Sequence, residues 1–127
     1  MSDRLAAPIG PNAVHLCVDM QRIFSSEGVW PTPWMDRVLP VVSTIAERFA
    51  DTIFTRFITP KRADDMPGRW RQYYVKWAKA TRERIDPGLL DLMPPLAKLV
   101  RRAADISRTP ELRSTAPAAH SARRTRA

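Results

Sequence analysis

Ala13-Val14-His15-Leu16-Cys17-Val18-Asp19 is a short apolar, β-branched run that follows a Pro-Asn opening and ends on a carboxylate. A run of this kind, apolar without strict alternation, is the pattern of a buried strand in a parallel sheet rather than of a surface strand. The stretch after it, Met20 to Pro33, contains Ser25, Ser26, Gly28, Pro31 and Pro33, a composition that predicts a long loop. From Trp34 to Phe49 the apolar residues Val38, Val41, Val42, Ile45 and Phe49 recur at helical spacing, with Asp36, Arg37, Glu47 and Arg48 directed elsewhere. An amphipathic helix is expected there, starting near Leu39 or kinked in its first turns by Pro40. Asp51 to Phe57 is again β-branched and aromatic. Strand, helix and strand joined by short connections favour a right-handed βαβ unit and a parallel sheet.

Farther along, Thr59 to Arg69 is polar and interrupted by Pro60, Pro67 and Gly68, and reads as a second loop. Trp70, Tyr73, Tyr74, Trp77 and Thr81 mark one side of a further helix, interleaved with basic residues, and Ile85-Asp86-Pro87-Gly88 ends it as a turn. Aromatic rings beside arginines are one way to engage single-stranded nucleic acid, but rings at helical spacing are more often a buried face with solvated charges around it. Leu89, Leu90, Leu92, Leu96 and Leu99 form a last apolar stretch, with a helical turn expected on each side of Pro94-Pro95.

The chain has 127 residues, 12 prolines and a net charge of +8. Seven arginines against Asp105 and Glu111 give residues 101–127 a net of +5, whereas residues 1–100 hold 14 basic against 11 acidic groups, a net of +3. The basicity therefore belongs mostly to the tail, which makes nucleic acid an unlikely target of the first hundred residues. That tail has almost no large apolar side chains to offset chain entropy and is expected to be disordered. No apolar run approaches the roughly 18 residues of a membrane span, and the N-terminus lacks the pattern of a signal peptide, so a cytoplasmic address without membrane contact is expected. The single cysteine, Cys17, excludes an internal disulfide and a multi-thiolate metal site. His15 and His120 make no recognisable metal motif, and no glycine-rich phosphate loop is present, so neither metal nor cofactor is expected.

Asp19 is the candidate for chemistry, because it falls at the carboxyl end of the first strand, where open α/β sheets place their ligand crevice. An aspartate in that position also serves as a turn or helix cap. Thr55 and Arg56 end the second strand, where Arg56 could pair with Asp19, hold a substrate carboxylate or simply be solvated. His15, Cys17 and Asp19 share one strand face, but residues two apart stand roughly 6.6 Å apart with parallel side chains and do not converge on one reacting atom. Packing of His15 and Cys17 in the sheet is the simpler expectation.

Asp19-Met20-Gln21-Arg22-Ile23-Phe24, directly after the hydrophobic strand, resembles the opening Asp-x-Gln-x-x-Phe motif of isochorismatase-like cysteine hydrolases. Thr55-Arg56-Phe57, the Met66-Pro67-Gly68-Arg69-Trp70 and Tyr73-Tyr74 segment, and Leu89-Leu90-Asp91-Leu92-Met93-Pro94-Pro95-Leu96 look like one branch of that family. The resemblance covers residues 12 to 99. It implies a three-layer α/β/α, Rossmann-like domain with a parallel sheet, a small-molecule substrate and room for homo-oligomers, with Asp19 as general acid/base and Phe24 and Arg56 at the substrate. In the family a lysine and a nucleophilic cysteine from later strands complete the site. Here no lysine occurs after Lys98, and Cys17 precedes Asp19 on the same strand. Nicotinamidase-like members carry histidine metal ligands after the second strand, where this chain has Thr59-Pro60-Lys61-Arg62. The expectation is an incomplete domain over residues 1–100, inactive alone, followed by an arginine-rich tail over 101–127 that is either out-of-frame coding or a segment for an acidic partner. The competing function is a non-catalytic binding module whose basic tail engages nucleic acid or another polyanion.

Overall fold

The computed structural model describes residues 5–49, 51–104, 112–113 and 119–126. Strand β1 spans His15–Val18 and β2 spans Asp51–Ile58, paired in parallel with His15 opposite Thr52 and Val18 opposite Thr55. Between them runs helix α1, Met35–Arg48, through Pro40 without a break. The βαβ order and the parallel pairing agree with the sequence pattern, and the described chain is of mixed helix and strand.

Helix α2, Arg69–Lys76, is shorter than the aromatic spacing predicts and passes into a 3₁₀ turn at Ala78–Ala80. Another 3₁₀ turn, Pro87–Leu90, is capped by Asp86, whose carboxylate accepts from the Gly88 N–H at 3.0 Å. Helix α3 follows over Pro94–Ala104, starting on the paired prolines that suit a first helical turn.

Helices α1 and α3 pack on one face of the β1–β2 pair. Cys17, Ala46, Phe54, Leu92, Leu96 and Val100 form the core there, with Met20, Leu39 and Val42 against them. A smaller cluster of Ile23, Ile85 and Leu90 fills the space below the loop after β1, with Phe24, Val29 and Trp30 around it. The opposite face of β1 carries Leu16 and Val18, 57% and 55% exposed.

Parts of the tail are among the described residues. Residues 101–104 close α3, and β4, Ala119–Arg126, lies antiparallel along β2 from Asp51 opposite Arg126 to Ile58 opposite Ala119. Strand β3, Leu112–Arg113, pairs with β4, giving the order β1-β2-β4-β3. Disorder is the expectation for residues 101–127, of which these segments are the described part. Strand pairing uses backbone N–H and C=O groups, so an exposed edge such as that of β2 can pair with a polar chain without help from apolar side chains. For the remaining tail residues, 105–111, 114–118 and 127, that expectation lies outside the described residues. No helix among the described residues is long and apolar enough to cross a membrane.

Candidate functional site at the end of strand β1

Asp19 leaves β1 in the left-handed region, at φ 52°. Aspartate tolerates that conformation better than most side chains, and here the backbone turn is braced. The Asp19 N–H is shared between the Thr55 carbonyl at 3.2 Å and the Thr55 hydroxyl at 3.1 Å, and that hydroxyl donates to Oδ1 of Asp19 at 2.7 Å. The carboxylate is thus oriented by the neighbouring strand at the point where the parallel pair ends.

Two residues on, the Gln21 side chain is fully buried and uses both ends. Its Nε2 donates to the carbonyls of Phe57 at 2.9 Å and Leu90 at 2.6 Å, while Oε1 accepts from the Phe57 N–H at 2.6 Å. A primary amide matches this demand because it offers two donors and an acceptor together. The backbone adds to the joint: Arg22 N–H donates to Asp91 O at 2.9 Å, Met93 N–H to Met20 O at 2.8 Å, and Gln21 and Leu92 form a bridge. The segment after β1 is therefore clamped between the end of β2 and the strand-like stretch before α3.

Phe24 stacks on Trp30 with ring centroids 6.3 Å apart and lies 6.2 Å from the Phe57 ring. These three, with Trp70, Tyr73 and Tyr74, line a cavity of about 360 Å³. Arg56 is adjacent to Thr55 on β2 and so projects to the other sheet face, with Phe54. The carboxylate it meets is Asp91, at 3.5 Å. The structure brings Asp19 and Thr55 into direct contact and puts Phe24 in the aromatic cavity, while Arg56 is engaged with the loop before α3.

His15 and Cys17 pack in the sheet. The His15 ring lies 5.4 Å from that of Phe49, and burial lowers its pKa. Cys17 is 2% exposed; burial first, and the Asp19 charge second, push its thiol up to about 11. A thiol held protonated in the core is no nucleophile at neutral pH. Among the described residues no group of three or more His, Cys, Asp or Glu side chains is arranged to hold a metal ion.

In the sequence Gln21 stands only as a motif letter, and nothing there directly marks Trp30 or Phe57 as cavity walls. Phe57 was within reach of the pattern, since it shares a strand face with Thr55. Trp30 sits in a loop without periodicity, and nothing local announced its role. No protein-family model matches the chain, and comparison with curated proteins and with solved structures likewise finds no match.

Proposed function

We propose that the chain carries part of the site of an isochorismatase-like cysteine hydrolase, built on a three-layer α/β/α plan, with Asp19 as the proton-carrying carboxylate. The observation that carries the reading is the bracing of Asp19 by Thr55 at the carboxyl end of a parallel strand pair. A general acid or base needs a fixed carboxylate, which the Thr55 contact supports, and in this reading the substrate occupies the aromatic cavity that Phe24 lines. Phe24 is the substrate contact of this reading. Arg56, held near Asp91, is the second.

The same scheme requires a thiolate nucleophile and a cation to stabilise developing negative charge. This sequence has no lysine after Lys98, and its single cysteine is buried with its thiol raised. The chain by itself is therefore proposed to be inactive, with a small-molecule amide or ester as the substrate class once those groups are supplied.

The test is a fusion of residues 1–100 to a segment that provides a strand-borne lysine and a cysteine at a strand-to-helix turn, assayed on a panel of small amides and esters. Turnover that appears in the fusion and disappears in its Asp19→Asn variant supports the reading. Turnover indifferent to Asp19 overturns it, as does hydrolysis by the unfused chain that survives Cys17→Ala and Asp19→Asn together.

A further inference from the structure

The six aromatic residues around the cavity do not form a slot. Phe24 and Trp30 are the near-parallel pair, at 20°, and at 6.3 Å between centroids they stack on each other. Inserting a flat ring between them would require about 7 Å, twice the ordinary contact distance. The other walls are set at an angle to one another: Trp30 and Tyr73 at 33° and only 6.2 Å apart, Phe24 and Phe57 at 48°, Trp30 and Phe57 at 64°, Trp70 and Tyr73 at 78°, Tyr73 and Tyr74 at 85°. Rings set across one another make a box, which suits a rounded group better than a planar one.

The chemistry of the walls narrows the occupant. Among the described residues no carboxylate lines the cavity. The Trp30 indole N–H is buried without a hydrogen-bond partner among the described residues, so Trp30 offers the cavity its ring and not its donor. An amine bearing N–H groups would lose its water there and find few acceptors. A cation without N–H donors avoids that loss and is attracted by the negative ring faces. The cluster already attracts a cation at its rim: Lys79 Nζ lies 5.5 Å from the centre of the Trp77 ring, and Trp77 in turn contacts Trp30 and Tyr73.

The walls are also preformed. Phe57 is held through its backbone by Gln21, and the loop carrying Trp30 is tied by Trp30 N–H to Ile23 O at 3.1 Å and Thr32 N–H to Phe24 O at 2.8 Å. We propose that this aromatic box binds the alkylated head of a quaternary ammonium compound. Because Phe24 belongs to both, the inference rests on the proposed substrate side of the Asp19 site and names the class of compound that side accepts.

The experiment is a titration of the full chain, followed by tryptophan fluorescence, with choline, with its uncharged carbon isostere 3,3-dimethyl-1-butanol, and with benzamide as a flat ring. Choline is expected to saturate and to bind about 10-fold more tightly than the isostere, the ratio that a desolvated cation–π contact supplies. Trp70→Leu and Tyr73→Leu alter rim residues that are 46% and 39% exposed, so both variants keep the fold by circular dichroism and lose choline binding. No saturation by choline, equal affinity for the isostere, tighter binding of benzamide, or unchanged choline affinity in both variants overturns the proposal. None of these outcomes bears on Asp19, whose role is read from turnover in the fusion.

Discussion

The Thr55 hydroxyl both donates to the Asp19 carboxylate at 2.7 Å and accepts from the Asp19 N–H at 3.1 Å, joining residues 36 positions apart in sequence. One oxygen thereby fixes a backbone turn and a side chain at once. Thr55→Val keeps the β-branched shape and removes both bonds, and is expected to cost about 1–2 kcal/mol, since Asp19 is only half-buried and water replaces part of the loss. Thr55→Ser keeps the oxygen and should recover most of it. Urea unfolding of the two variants measures the difference; equal destabilisation by Val and Ser would assign the effect to packing.

Gln21 is the joint between β2 and the segment before α3. Gln21→Leu is similar in volume but removes three hydrogen bonds at a fully buried position, so a loss of about 3 kcal/mol is expected. The accompanying signature is local: amides of residues 88–93 should exchange faster than those of α1. Uniform loosening of the chain would contradict a joint at this place.

Gly28 lies so close to the Ile23 backbone that any Cβ would overlap the Ile23 carbonyl. The obstacle is main chain and cannot rotate away, so the loop has to open to accept a side chain. Gly28→Ala is expected to destabilise by about 2–3 kcal/mol. Because the same loop carries Trp30, its fluorescence should shift to longer wavelength in the folded variant, a change that a distant destabilising substitution would not produce.

The parts of the fold that were legible in the sequence are those with a period. Val38, Val41, Val42 and Ile45 mark α1, and the apolar runs ending at Asp19 and Phe57 mark the parallel strands. What stayed hidden depends on contacts across long sequence separations. The amide of Gln21 finds its partners at Phe57 and Leu90, which no local pattern relates to it. Trp30 reaches its ring neighbours from a proline-bounded loop, and Ala119–Arg126 pairs through backbone that composition does not describe. Of the candidate site, Asp19 was legible because a charge ends an apolar strand, whereas the pairing of Arg56 with Asp91 was not.

Cys17 links the core to pH. Its thiol rises from 9.0 to about 11 on folding, chiefly through burial. The folded chain holds this proton more tightly than the unfolded chain, so the stabilisation is complete below pH 9.0 and declines as pH climbs towards 11. Tyr74, raised from 10.0 to about 12 by burial and then by Tyr73, extends the decline upward. Cys17→Ala should cost about 1 kcal/mol at neutral pH and flatten the profile in the lower part of this window. Midpoints of urea unfolding at intervals from pH 8 to pH 11 measure it; a wild-type profile as flat as the variant's would place the thiol in water.

Ala122 stands opposite Thr55 in the β2–β4 pairing and opposite Leu112 in β3, so its strand is paired on both sides. Proline there removes an N–H and forces its ring into a ladder, and Ala122→Pro is expected to cost about 2 kcal/mol or more. Deleting residues 114–127 should go further, leaving β2 with an open edge that templates association with other copies. Protection of the β2 amides from hydrogen exchange should fall in both cases, and light scattering should rise with concentration for the deletion. If the β2 amides exchange at the same rate in the full chain and in the deletion, β4 contributes no pairing and the arginine-rich tail has to be explained by a partner of opposite charge.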